Sequence, residues 1–196
     1  MSKVISAHSV SVDGYITGRD PRAGHGLGDG GTLFDWYFTG DTPSQAFDGF
    51  TLSAASAPLF DTLATRVGAI VAGRTTFEDS DRFGGASPVP GTHVVVLSHE
   101  RIEVSDRQTL VTTGIEDAIA TAPTLAGGKD VSLMGGGVLT SALAAGLVDE
   151  IVLHQVPVLL GAGRPFFREL PSHIRLDLLN AVPAPGVTHL HYAVRH

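Results

Sequence analysis

The chain has 196 residues and a formal charge of −7, too large to need covalent staples and too acidic to hold nucleic acid through bulk charge. With 43% hydrophobic and 17% charged residues it is not a disordered chain, and no apolar run is long enough to span a bilayer. It has no cysteine, which excludes disulfide and thiolate chemistry. The expectation is a cytoplasmic protein without a signal peptide, folded as one domain, with no nucleic-acid or membrane partner.

In chain order, β-branched apolar runs predict strands over 4–12, 67–72, 94–97, 131–134 and 151–156, and two more over 174–181 and 188–194. Helices are expected over 53–64, 115–122 and 138–145, the last closed by Gly146. Strands alternating with helices point to an α/β fold with a mostly parallel sheet covered on both faces. The last two strands, joined through Val182-Pro183-Ala184-Pro185-Gly186-Val187, read as a C-terminal antiparallel hairpin. The segment 17–51 is glycine-rich and carries Leu33-Phe34-Asp35-Trp36-Tyr37-Phe38. A loop of this length often covers an active site. Trp36 is either a wall for a planar substrate or an anchor that pins the loop.

The stretch Val131-Ser132-Leu133-Met134-Gly135-Gly136-Gly137-Val138-Leu139 joins a predicted strand to a predicted helix through three glycines. Glycines let a backbone approach a ligand closely, and a helix start offers free N–H groups and a positive dipole end. The unit therefore reads as an anion or nucleotide cradle, or as a tight turn that binds nothing. It is not the usual dinucleotide fingerprint, because Thr140 stands where a third glycine is needed, and it is no P-loop.

Three further motifs accompany it: Ser11-Val12-Asp13-Gly14-Tyr15-Ile16, Ala72-Gly73-Arg74-Thr75-Thr76-Phe77-Glu78 and Leu97-Ser98-His99. With Gly146-Leu147-Val148-Asp149-Glu150 and Pro157-Val158-Leu159-Leu160-Gly161-Ala162-Gly163-Arg164-Pro165-Phe166-Phe167, they resemble the dihydrofolate reductase-like superfamily. The closer resemblance is to the reductase domain of the bacterial bifunctional riboflavin-biosynthesis enzyme, the RibD C-terminal type, from Val4 to about Tyr192.

The resemblance implies a dihydrofolate reductase-like α/β fold, a homodimer, NADPH as hydride donor and a pteridine- or pyrimidine-like acceptor. It assigns Gly73, Arg74, Thr75 and Thr76 to the cofactor's phosphates, and Ser98 and His99, with Arg101 nearby, to the adenosine 2′-phosphate. Met134, Gly135, Gly136 and Gly137, with the N–H groups of Val138 and Leu139, would hold the pyrophosphate. Ile16 would border the nicotinamide. Each has a plainer alternative: Arg74 as an i,i+4 ion pair with Glu78, Ser98 as a turn cap, Asp13 as a turn former.

The proton source is where the pattern departs from the folate reductases, which the resemblance would lead to carry a carboxylate on the helix before Gly73-Arg74. Here that helix begins Ser53-Ala54-Ala55-Ser56-Ala57-Pro58-Leu59-Phe60 and reaches no acid until Asp61. Asp13 and Asp61 are the catalytic candidates, with Asp35 and Asp48 behind them, and solvent is the other source. Two rivals stand beside the reductase. One is a non-catalytic protein that binds NADPH. The other is a metal site built on His189 and His191, which share one face of a strand but lack a patterned third ligand, so no metal is expected.

Overall fold

The computed structural model describes residues 2–196. In chain order the strands are β1 (Val4–Ser11), β2 (Thr42–Pro43), β3 (Thr51–Leu52), β4 (Val67–Gly73), β5 (His93–Leu97) and β6 (Gln108–Val111). They continue with β7 (Asp130–Met134), β8 (Glu150–Val156), β9 (Leu176–Ala184) and β10 (Val187–Val194). The α-helices are α1 (Ala57–Arg66), α2 (Arg74–Asp79), α3 (Ile115–Leu125) and α4 (Gly136–Ala144).

Eight strands form one sheet in the order β6-β5-β4-β7-β1-β8-β10-β9, and β2 and β3 form a separate short ribbon. From β6 to β8 every neighbouring pair is parallel, and β10 then pairs antiparallel with both β8 and β9. A strand buried on both faces needs an unbroken apolar run rather than alternation. β4 supplies one, with six of its seven residues buried.

Side-chain parity divides the core. Val71, Val95 and Leu133 face α3 and α4, through Ala118, Ala122, Leu139 and Ala142. Ile5, Ile70, Val94 and Val96 face the other way, toward Phe77 of α2 and Leu63 of α1. A third cluster, built on Leu33, Trp36, Leu52, Val156 and Val187, seats the 3-10 helix Gly31–Phe38 against the β8–β10 part of the sheet. The middle of the 17–51 segment is thus anchored to the body of the protein.

At the end of the sheet where the parallel strands begin, Glu150 gathers Lys3, Arg66 and His191, and Asp130 shares Arg66. Burial pushes the Glu150 carboxyl up, but hydrogen bonds from Lys3, His191 and Arg66 outweigh it and bring it down to about 2. Charged pairs close that end. The carboxyl ends of the strands are left for a ligand.

Several boundaries differ from the sequence expectation, each for a physical reason. α4 starts at Gly136 rather than 138, so two glycines occupy its first turn. α3 passes through Pro123 and ends at Leu125, because Pro123 stands in the last turn and Ala126 N–H bonds to the Ala122 and Pro123 carbonyls instead. α1 begins at Ala57, since Ser53 and Ser56 hold a turn through a hydrogen bond between their hydroxyls. β9 extends through Pro183, tolerated on an edge strand where no partner needs its missing N–H. β6 and α2 were not among the expected elements.

Candidate functional site

A cleft of about 880 Å³ opens over the carboxyl ends of β1, β4, β5 and β7, with Ala7, Gly73, Leu97 and Met134 at its base. This is where the chain's course across the sheet reverses. From β4 it runs outward to β5 and β6, and from β7 it runs the other way, across β1 to β8. Open α/β sheets bind ligands at such a reversal. The residues singled out from sequence at Ile16, Gly73, Arg74, Thr75, Thr76, Ser98, His99, Met134, Gly135, Gly136, Gly137 and Val138 all line this one cleft.

Its centre is the glycine turn. Gly135 has φ of +102°, and a Cβ there would meet Thr76 Oγ1 at 2.4 Å. A Cβ on Gly136 would meet the Pro165 carbonyl at 2.5 Å, so the loop packs against two neighbours with no room to spare. Because α4 starts at Gly136, the Leu139 N–H is already taken by the Gly135 carbonyl at 3.1 Å. Leu139 is fully buried and lines the core, not the cleft. The expected donor pair therefore moves: the first-turn N–H groups of Gly136, Gly137 and Val138 have no acceptor among the described residues. Above them lies the exposed Arg168 guanidinium, whose Cζ would be 3.5 Å from a Cβ on Gly137 and which makes no ion pair among the described residues.

The turn is held from below by His8, which the sequence reading did not single out. Gly135 N–H donates to His8 Nε2 at 3.1 Å. That leaves the proton on Nδ1, which faces Ser6 Oγ at 3.4 Å, and Ser6 in turn donates to the Leu133 carbonyl. Burial pushes the His8 imidazole down to about 4, so it is neutral at pH 7 and keeps Nε2 as an acceptor. One signal was present in the sequence: a histidine in the interior of a predicted strand, on the same face as Ser6 and Val10.

The end of the cleft over β5 is polar. Arg74 bonds Glu78 at 2.9 Å, the i,i+4 pair that was the plainer alternative, and also Glu100 at 2.5 Å. Ser98 is buried and caps a turn: its hydroxyl accepts from Glu100 N–H at 3.1 Å and donates to the Glu100 carbonyl at 2.8 Å. Thr75 and His99 are exposed on the cleft wall, whereas Arg101 is not part of it. Arg164, also on the wall, pairs with Asp79.

The opposite end is aromatic. Phe34 and Tyr37 line it with Ala7, Ser9 and Ile16. Phe34 stacks on Tyr37 (5.1 Å, 28°), Tyr37 on Phe50 (4.7 Å, 19°) and Phe50 on Phe47 (5.2 Å, 13°), a row of nearly parallel rings. Trp36 is not part of the wall. It is 1% exposed, donates through Nε1 to Ser9 Oγ at 2.9 Å and packs on His154 and His189. The aromatic pair that faces the cleft lies on either side of it in sequence. A 3-10 turn carries Leu33 and Trp36 into the core and leaves Phe34 and Tyr37 toward the opening.

Both catalytic candidates are committed elsewhere. Asp13 accepts from Ser11 Oγ at 2.6 Å, Leu160 N–H at 3.2 Å and Gly161 N–H at 2.7 Å, and the Ser11 hydroxyl holds its carboxyl below the usual range. It is a clasp between two loops. Asp61 lies on α1 and accepts from Ser44 Oγ at 2.5 Å and Gln45 N–H at 3.0 Å. Asp35 accepts from the Thr32 hydroxyl, Asp48 is exposed, and none of the four lines the cleft. His189 and His191 separate: the first meets His154 (2.8 Å) and Ser56 (2.9 Å), the second Glu150.

Three comparisons bear on this arrangement. The family model for the RibD C-terminal domain matches residues 2–189. A crystal structure of a Shewanella sp. PV-4 protein, named for riboflavin biosynthesis, is 27% identical, with 99% of each chain covered and a TM-score of 0.71. Dihydrofolate reductase from Enterococcus faecalis, complexed with NADP(H) and RAB-propyl, is 13% identical over 99% of this chain and 97% of that one, with a TM-score of 0.59, a likeness of fold. The uncharacterized protein YyaP of Bacillus subtilis (strain 168) is 43% identical over 54 residues, which are 27% of this chain and only 29% of that protein. A match over nearly the whole length, together with a dihydrofolate reductase-like sheet and a cleft assembled from the expected motifs, makes this chain a member of the RibD C-terminal domain family.

Proposed function

We propose that the protein is an NADPH-dependent reductase acting on a small, flat heterocyclic or carbonyl acceptor. The observation that carries this reading is the set of three free N–H groups at the start of α4, placed midway between a charged end and an aromatic end of one cleft. The residues fit a dinucleotide. Glycines keep the anion path open, the helix start supplies donors and a positive dipole end, and Arg168 adds a free cation directly above them. NADPH, when bound, supplies the hydride and leaves as NADP⁺, and one proton completes the reduced acceptor.

The chain's own contribution is orientation. Ile16, Phe34 and Tyr37 offer apolar faces against which a flat ring stacks, and ordering two rings in one cleft lowers the barrier without any acid group. Burial pushes the Tyr37 phenol up to about 12, against the pull of the Ser9 hydroxyl, so it stays protonated and acts as a polar handle rather than an acid. Solvent is the proton source in this reading.

The occupied state of Asp13 and Asp61 favours one second reading, a protein that binds NADPH without turnover. Steady-state oxidation of NADPH against quinones, pteridines and pyrimidines separates the two. The reductase reading expects turnover of at least one flat acceptor, with KM raised about tenfold or more in Phe34→Ala through the lost stacking. NADPH binding without oxidation by any acceptor supports the second reading and overturns the first.

A further inference from the structure

The two ends of the cleft differ in charge as well as in shape. At the polar end one guanidinium, Arg74, faces two carboxylates: Nε donates to Glu78 at 2.9 Å and Nη1 to Glu100 at 2.5 Å. Asp81 and the Arg164–Asp79 pair line the same cleft, so carboxylates outnumber guanidinium groups around Arg74. The aromatic end offers ring faces on which a flat reacting ring stacks, so the far half of a dinucleotide anchored at α4 lies at the charged end. NADPH and NADH differ in that half alone, by a phosphate on the adenosine ribose.

We propose that Glu100 governs the choice between the two coenzymes by occupying Arg74 in the place a ribose phosphate would take. The inference rests on reading the cleft as a dinucleotide site. Glu100 stands two residues past Ser98, immediately beyond β5, and its side chain is 71% exposed, so its pair with Arg74 is solvent-screened and opens readily. Glu78 grips the same guanidinium from α2 and keeps it in place when Glu100 leaves. A phosphate must therefore displace one carboxylate and then lie near it, whereas an unmodified ribose can donate its hydroxyls to that carboxylate. Glu100 thus weakens the preference for NADPH over NADH without abolishing it, because its exposed pair with Arg74 yields to the phosphate.

The test is calorimetric binding of adenosine 2′,5′-bisphosphate and 5′-AMP, alongside NADPH and NADH. The proteins are the wild type, Glu100→Gln, Arg74→Ala and the double variant. Glu100→Gln is expected to tighten the bisphosphate and NADPH by about tenfold, the size of one charge-assisted contact, while 5′-AMP and NADH change by less than about twofold. The gain should vanish in the Arg74→Ala background and shrink with added salt. Dinucleotide binding with an unchanged NADPH-to-NADH ratio in Glu100→Gln, or a gain that survives without Arg74, overturns the role of Glu100 alone. Failure of every nucleotide to bind all four proteins overturns the dinucleotide reading and this inference with it.

Discussion

Gly135 sits between two groups that restrict it from opposite sides, Thr76 Oγ1 and the His8 ring. His8 is the less obvious of the two, and its role makes an acid-sensitive prediction. Its imidazole is depressed to about 4 in the fold against 6.5 unfolded, so between those values the unfolded chain takes up a proton that the folded one refuses. Stability is therefore present in full above pH 6.5 and is lost as pH falls toward 4. His154 and His189, pushed down by burial to about 3 and about 4, add to the same slope. His8→Leu strands the Gly135 N–H and should cost about 1–3 kcal/mol, with the acid slope reduced. His8→Gln, which restores an acceptor, should recover much of that stability, and urea unfolding from pH 7 down to 4 measures all three proteins. Equal losses in Leu and Gln variants, or an acid slope unchanged in both, would contradict the acceptor role. Residue roles were only partly legible in sequence: spacing marked the glycines and Arg74, but nothing local showed that Asp13 clasps Gly161 or that Asp61 caps a loop sixteen residues before it.

At the scale of elements, the central strands announced themselves because β4, β5 and β7 are apolar runs flanked by turn residues. β6 did not, being four residues that begin with Gln108, a buried side chain that donates to the Arg82 and Ala86 carbonyls. The first of those carbonyls belongs to a left-handed turn, Asp81, Arg82 and Phe83, and the second follows it; no local propensity encodes that turn. It exists because Gln108 and the Phe77–Phe83 contact hold it. The start of α4 was misplaced by two residues since glycine is a poor helix former, yet here the missing side chains are what the packing demands. The hairpin was legible, and it leaves β9 at the sheet edge with Leu178 and Leu179 58% and 54% exposed. An apolar edge of this kind needs a cover, and we propose a second copy of the chain, which makes the protein a homodimer. Light scattering after gel filtration should give twice the chain mass for the wild type and the single-chain mass for Leu178→Lys/Leu179→Lys. A wild-type monomer would contradict the dimer.

For the whole molecule, the sheet is closed at one end by the Glu150 and Asp130 ion pairs and open at the other; residues 73–76, 98–99 and 134–138 line the open side, whereas the 146–150 motif belongs to the closed end. The acceptor end was the least legible part. Its wall depends on a 3-10 turn that sorts Phe34, Trp36 and Tyr37 between core and cleft, a sorting decided by packing against Val156 and Val187 far along the chain. No helix among the described residues is long and apolar enough to cross a membrane. The proposed activity depends on the anion cradle at α4. Its most direct test is titration of the protein with NADPH, following nicotinamide fluorescence, with Gly135→Ala beside the wild type. Saturable binding is expected for the wild type and a loss of about tenfold or more in the variant, whose new Cβ must push Thr76 and the first turn aside. No binding by the wild type, or equal affinity in the folded variant, would contradict it.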